Sequence, residues 1–142
     1  MDDVRAIGRI RAGGPWAGFV QRADGYHLVV GDGPSTRERA ADRDLLLALA
    51  VSYFEEAFDD PPPELEASHA DLSALVREVA AAERDPRRSR LLGEAIDAID
   101  DGLAGDAVAN RLNAAREPAP HTDEQADPVD LLVTLVEEML RD

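Results

Sequence analysis

The sequence predicts an α+β fold, in which a small three-stranded antiparallel N-terminal sheet is followed by a four- to five-helix body. Two observations separate these parts. Residues 4–31 alternate between apolar and polar side chains and are interrupted by glycine turns, which is typical of short strands. Residues 36–116 instead carry apolar side chains at helical spacing. The length of 142 residues suits one domain with an appended tail.

Three strands are predicted, at residues 4–11, 17–23 and 26–30. In the first strand the alternation puts Val4, Ala6 and Ile10 on one side. The opposite side then carries three arginines and one isoleucine: Arg5, Ile7, Arg9 and Arg11.

The second and third strands are joined by Asp24-Gly25, a strong hairpin signal because a type I′ turn needs positive φ at both central residues. A turn centred there pairs Arg22 with His27 and Phe19 with Val30. The pair Arg22 and His27 is then expected to face solvent. The other face of the hairpin is apolar and is expected to face the core: Phe19, Leu28 and Val30.

The first helix is predicted to begin at Ser35-x-x-Glu38, which matches a capping box, and to end near Phe58 before an Asp-Asp-Pro-Pro-Pro run. Its middle is apolar nearly all round, so we expect it to be central and buried. Further helices are predicted at about residues 64–83 or 69–83, 86–101, 106–116 and 128–142.

The predicted organisation is a single α+β domain at 1–116, a flexible linker at 117–127 and an amphipathic C-terminal helix at 128–142. This last helix has a broad apolar face that could dock on its own core, dimerise or fill a groove of a partner protein. Its expected partner contacts are Val129, Leu132, Leu135, Val136 and Met139.

Composition excludes several classes of protein. The chain has no cysteine, so it has neither disulfides nor thiolate metal sites, and no apolar run approaches the length of a membrane span. The N-terminus lacks the layout of a signal peptide, so we expect a cytoplasmic protein. The net charge is −15, and every basic residue is arginine. A halophilic prokaryote would explain the acidity, and a GC-rich genome would explain the absence of lysine.

The charge is distributed unevenly. Residues 1–43 carry seven arginines and six acidic residues, whereas residues 44–142 have a net charge of −16. The N-terminal sheet could therefore present a basic face that binds nucleic acid, together with its aromatic side chains. Packing of this sheet on its own acidic helices is the alternative. The arginines of the expected face are Arg5, Arg9, Arg11 and Arg22.

Motifs for catalysis or cofactor binding are absent. Glu66-x-x-His69 resembles one half of a di-iron site, but the second half is missing. The acidic residues around Gly102 (Asp97, Asp100, Asp101 and Asp106) do not have EF-hand spacing. No phosphate-binding glycine loop or nucleophile elbow occurs. We therefore predict no catalytic, cofactor-binding or metal-binding residues.

These observations predict a non-catalytic, acidic protein-interaction module, such as an adaptor or small regulator, which contacts protein or a second copy of itself through the C-terminal helix. A nucleic-acid-associated regulator that uses the arginine-bearing sheet is the first alternative. An enzyme with few recognisable motifs is the second.

Overall fold

The chain begins with an antiparallel meander and continues with helices in the computed structural model, which describes residues 4–116 and 128–141. The predicted α+β class is confirmed. The sheet order is β1-β2-β3-β4. The strands are β1 (Arg5–Arg9), β2 (Trp16–Arg22), β3 (Gly25–Asp32) and β4 (Ser35–Ala40). The helices are α1 (Arg43–Phe54), α2 (His69–Ala82), α3 (Pro86–Asp100), α4 (Gly105–Ala114) and α5 (Pro128–Arg141).

The sheet has four strands, so the prediction of three strands is wrong. The missed strand is β4, which was assigned to the start of the first helix. Ser35 does not cap a helix, since Asp42 accepts the backbone N–H of Leu45 instead, at 2.9 Å. The carboxylate of Glu38 binds the guanidinium of Arg22 on β2. Residues 35–44 contain no apolar side chain larger than alanine, so a helix over these residues would have no face to bury.

The β2–β3 hairpin has a different register from the predicted one. Arg22 pairs with Gly25, and Phe19 pairs with Leu28 rather than with Val30. Each residue of β2 thus meets a partner two positions away from the expected one. Because side chains alternate with a period of two, this shift preserves the faces, and the predicted core face is confirmed. Phe19, Leu28 and Val30 are all buried.

Helix α1 occupies the centre of the molecule, as the sequence predicts. Nine of its twelve residues are buried, and Leu47, Leu49 and Val51 are fully inaccessible to solvent. The apolar face of the sheet packs on this helix, and α2, α4 and α5 cover its other sides. A helix that is apolar all round requires such cover on every side.

Helix α5 docks on this core within the same chain. Leu132, Val136 and Met139 are buried, while Val129 and Leu135 are half-buried. The first three side chains therefore reach a partner only if α5 undocks, and their role as partner contacts stays a prediction. The predicted linker at 117–127 lies outside the described residues.

Replacement of Leu132 by alanine is expected to lower the free energy of unfolding by about 2–5 kcal/mol, because it leaves a cavity between α5 and α1. Thermal and denaturant unfolding would measure the change. Thr134→Ala, on the exposed face of the same helix, is the matched control. Equal stability of the two variants would contradict the docked position of α5.

Arg43 joins three helices at the other end of the core. Its Nε atom lies 2.7 Å from a carboxylate oxygen of Glu83, which follows α2, and its Nη2 atom donates to the carbonyl of Ala115 at the end of α4. Hydrogen bonds from the backbone N–H of Asp85, followed by the charge of Arg43, lower the pKa of Glu83. The Glu83 side chain is only 8% exposed, so the contact is largely shielded from water.

Arg43→Ala is expected to lower the free energy of unfolding by about 2–3 kcal/mol near neutral pH, since it removes charge-assisted hydrogen bonds. A carboxyl group whose pKa is lowered by folding stabilises the protein above its unfolded value of about 4.3, and this contribution is lost as the pH falls through the folded pKa. The variant should therefore lose less stability on acidification than the parent does. Arg84→Ala, at an exposed arginine, is the control for charge.

Candidate functional site at the carboxyl end of the central helix

A cleft of about 1360 Å³ opens where α1 ends. Its walls come from β1 and the following turn, from residues 53–61, from the start of α2 and from the start of α4. Tyr53, Phe54 and Phe58 line the cleft and form its aromatic floor. The cleft is therefore assembled from four parts of the chain that are distant in sequence.

The wall made by residues 53–61 forms because the chain reverses sharply after α1. Glu55 ends the helix, and Glu56 adopts a left-handed conformation with φ of 53°. This conformation costs a non-glycine residue about 1–2 kcal/mol. The chain then bonds to the edge of β1, where the N–H of Arg9 donates to the carbonyl of Asp59 at 2.8 Å and the N–H of Asp59 donates back at 2.9 Å.

Gly8 allows this wall to approach β1 closely. A Cβ atom at residue 8 would lie 2.7 Å from the carbonyl oxygen of Asp59 and from the Cβ of Phe58, which is too close for any side chain. Gly8 lies within the first strand, where a glycine ordinarily weakens the strand. The structure gives the reason for a glycine there, since the edge of β1 serves as a wall of the cleft.

The start of α2 places His69 at the mouth of the cleft. Ser68 and Asp71 form a capping box, in which Ser68 Oγ accepts the N–H of Asp71 and the Asp71 carboxylate accepts the N–H of Ser68. The imidazole of His69 meets the rings of Tyr53 and Phe54 edge to face, with centroid distances of 5.7 and 5.5 Å. The capped helix end thus fixes the imidazole against an aromatic floor.

The start of α4 closes the fourth side. Gly105 packs directly on the carbonyl of Phe54, and a side chain at residue 105 would overlap that oxygen. Asp106 follows in the first turn of α4, where a negative charge is favourable.

The lining of the cleft is strongly acidic. Six exposed carboxylates face one guanidinium, that of Arg9, which already donates to the carbonyl of Gly14 at 3.2 Å. The six are Glu55, Glu56, Asp59, Asp60, Glu66 and Asp106. None of them forms an ion pair with another residue in the described ranges 4–116 and 128–141. The carbonyl end of α1 adds further negative potential beside Glu55 and Glu56.

The carboxylates of the cleft affect the pKa of Tyr53. Burial raises the pKa of the Tyr53 hydroxyl, and the carboxylates of Glu66, Asp71 and Glu56 raise it further. The negative potential of the cleft therefore reaches the aromatic floor.

The described part of the chain holds no group of three histidine, aspartate or glutamate side chains that could bind a metal ion. Glu66 and His69 both line the cleft, but no third ligand joins them. The acidic residues around Gly102 do not form a cluster of ligands either. Asp100 binds Arg77 of α2 at 2.6 Å, while Asp106 belongs to the cleft.

The arginines of the expected basic sheet face do not lie together. A β-bulge at Ile7 changes the alternation of β1, so that Arg5 pairs with Phe19 on the core side and Arg9 pairs with Trp16 on the opposite side. The prediction that one side of a regular strand carries both arginines is therefore wrong.

Two of these arginines are engaged in ion pairs, Arg5 with Asp71 at 3.3 Å and Arg22 with Glu38 at 2.6 Å. Arg22 lies at the opposite end of β2 from Trp16, about 20 Å away at the rise of a strand. Arg11 is exposed in the turn after β1. These four arginines thus supply no continuous basic surface.

The cleft itself was not predicted from the sequence. The sequence pattern predicted only that the Asp-Asp-Pro run ends the first helix. One local signal was available, because two glutamates directly at a helix carboxyl end are electrostatically unfavourable. The convergence with Glu66 and Asp106 depends on tertiary contacts, which local patterns do not reveal.

The pKa of Tyr53 should lie above the ordinary tyrosine value of about 10. The chain has two tyrosines, so ultraviolet titration of a Tyr26→Phe variant reports Tyr53 alone. The raised pKa means that folding favours the neutral phenol. This stabilisation is complete below about pH 10 and is lost as the pH rises through the folded value. Adding Glu66→Gln should lower the midpoint, whereas Glu94→Gln on α3 should leave it unchanged.

No helix in the described ranges is long and apolar enough to cross a membrane. Comparison with known proteins gives no match to a protein-family model, to a curated protein or to a solved structure. The geometry and charge of the cleft are therefore the basis for assigning a function.

Proposed function

We propose that this chain is a non-catalytic protein-interaction module whose acidic cleft binds a basic segment of a partner protein. The observation that carries the proposal is the set of six carboxylates, without ion-pair partners among the described residues, around an aromatic floor. An arginine or lysine side chain supplies the missing charge. The position of the cleft at the carboxyl end of α1 is also favourable for a cation.

The size of the cleft favours a peptide segment over a small molecule. Pockets for small ligands occupy about 300–1,000 Å³ and enclose most of their ligand. The present cleft holds about 1360 Å³ and is widely open. A segment with several basic side chains could place one charge near Glu55 and Glu56 and another near Asp59 and Asp60.

The aromatic floor adds a contact that simple charge attraction lacks. A guanidinium or ammonium group over the face of Tyr53 would gain about 0.5–1 kcal/mol from a cation–π interaction. The aliphatic stem of the same side chain could pack against Phe58, which is half-buried. General salt adaptation accounts for dispersed surface carboxylates, but it does not account for their concentration around the partly buried rings of Tyr53 and Phe58.

The strained turn supports the same proposal. Glu56 holds a left-handed conformation that glycine or asparagine would adopt at lower cost, and Glu55 lies where a basic residue would stabilise the helix. A glutamate at each of these two positions thus lowers the stability of the fold and adds negative charge to the cleft. Locally unfavourable features of this kind are typical of functional sites.

A fluorescent capped peptide of alternating arginine and alanine is expected to bind the protein, with an affinity that falls as salt is added. The triple variant Glu55→Gln, Glu56→Gln, Asp59→Asn should weaken binding at least about tenfold, which corresponds to about 1.4 kcal/mol. Fluorescence anisotropy would measure both effects.

The matched control is the triple variant Glu94→Gln, Asp97→Asn, Glu137→Gln. It removes the same number of charges from exposed positions outside the cleft. If the two triple variants weaken binding equally, the peptide responds to the net charge of −15 rather than to the cleft, and the proposal fails.

A further inference from the structure

A basic segment of this chain lies in the turn between α2 and α3. Residues 84–90 carry four arginines, the highest density of basic side chains in the sequence. The segment includes the turn itself and the start of α3. This arginine corner comprises Arg84, Arg87, Arg88 and Arg90.

Three arginines of the corner have no acidic partner among the residues that the structure describes. Arg84, Arg87 and Arg90 are exposed, and none of the three forms an ion pair in that part of the chain. Arg88 lies 3.9 Å from the carboxylate of Asp85. Arg87 and Arg90 are three residues apart on α3, so they share one face of that helix. The corner therefore presents three guanidinium groups to solvent.

The acidic residues beside the corner are already engaged. The carboxylate of Glu83 binds Arg43 at 2.7 Å. The carboxylate of Asp85 caps α3 by accepting the N–H of Arg87 at 2.9 Å. Arg87 and Arg88 then lie in the first turn of α3, where a positive charge is unfavourable. The amino end of α3 and the carboxyl end of α1 thus each carry charge of the sign that the helix terminus disfavours, and the two charges are opposite.

The corner cannot reach the acidic cleft of its own chain. His69 at the start of α2 lines the cleft, whereas Glu83, directly after α2, binds Arg43 at the start of α1. Helix α2 has 14 residues and is therefore about 21 Å long. This rigid spacing holds Arg84 at the opposite end of α1 from the cleft. A contact between the two charged surfaces consequently requires a second molecule.

We propose that the basic segment bound by the acidic cleft is the arginine corner of a second copy of this chain, so that copies associate head to tail. The inference rests on the function proposed for the cleft and names its partner. Arg84, Arg87 and Arg90 would face the carboxylates of the cleft, and the contact would bring charge of the favourable sign to both helix ends. Since the two surfaces differ, the interface is heterologous.

The net charge of −15 opposes self-association only where salt is low. At about 0.15 M salt the Debye length is about 8 Å, so the local pairing of cleft and corner decides the contact. At about 0.01 M the Debye length is about 30 Å, and the repulsion between whole molecules then opposes their approach. Association of the chain should therefore be stronger at the higher of these two salt concentrations, whereas a short basic peptide should bind more tightly at the lower one.

Sedimentation equilibrium of the full chain at about 0.15 M salt tests the proposal. The mean mass of the parent protein should rise above 15.3 kDa with increasing concentration. The corner variant Arg84→Gln, Arg87→Gln, Arg90→Gln should weaken association at least about tenfold, as should the cleft triple variant. The matched control is Arg39→Gln, Arg111→Gln, Arg141→Gln, which removes three exposed arginines outside both surfaces and should associate as the parent does.

Mixing the two defective variants isolates the contact. The corner variant keeps its cleft, and the cleft variant keeps its corner. Neither should associate alone, whereas the mixture should form a complex of one copy of each that does not grow further. The corner variant should also bind the arginine peptide as the parent does, which shows that its fold and its cleft are intact.

The outcomes distinguish this inference from the function on which it rests. A parent protein that binds the arginine peptide but stays monomeric up to about 1 mM would overturn the inference and leave the function of the cleft standing. Equal association of the corner variant and its arginine control would overturn it as well, and so would the absence of a complex in the mixture. A parent protein that neither binds the peptide nor associates contradicts both proposals.

Discussion

Helix α1 has almost no polar face, and the other layers of the molecule lie where they cover it. The sheet contributes Phe19, Leu28 and Val30 to one side, and three helices cover the others. Burial of a leucine or valine side chain contributes about 1.5–3 kcal/mol, so a helix with nine buried residues dominates the core. This requirement explains why α5 docks in cis, since its removal would expose one side of α1 to water.

The same constraint determines where the acidic cleft lies. Coverage of α1 ends at Phe54, where the chain reverses and three other segments meet around the helix end. A helix terminus leaves backbone carbonyls exposed, and ordinary proteins satisfy them with glycine turns or basic residues. This chain instead places Glu55 and Glu56 there, and a third and fourth carboxylate follow at Asp59 and Asp60. The buried residues of α1 thus stabilise the fold, whereas the residues that follow its carboxyl end concentrate negative charge.

Local patterns predicted the parts of the fold that depend on periodicity alone. The core face of the hairpin was correct even though the register was wrong, because the error moved each partner by two residues and the side-chain period is two. β4 was missed because Ser35-x-x-Glu38 satisfies a helix-capping pattern. Its true pairing depends on Val29 and Val30 of the preceding strand. The bulge at Ile7 and the approach of Asp59 to Gly8 are likewise tertiary features. Local patterns therefore predict the layers and their buried faces, but not the convergence of six carboxylates.

The distribution of charge along the chain agrees with the position of the acidic cleft, because all six of its carboxylates follow residue 43. The sheet and the residues up to 43 carry nearly balanced charge, whereas the acidic excess lies in the residues that follow. At physiological ionic strength the Debye length is about 8 Å, which is shorter than the about 14 Å between the outer strands of the sheet. The potential of the cleft is thus strongly screened at β4. The negative potential of the cleft therefore acts on charged groups at the open end of α1 rather than across the whole molecule.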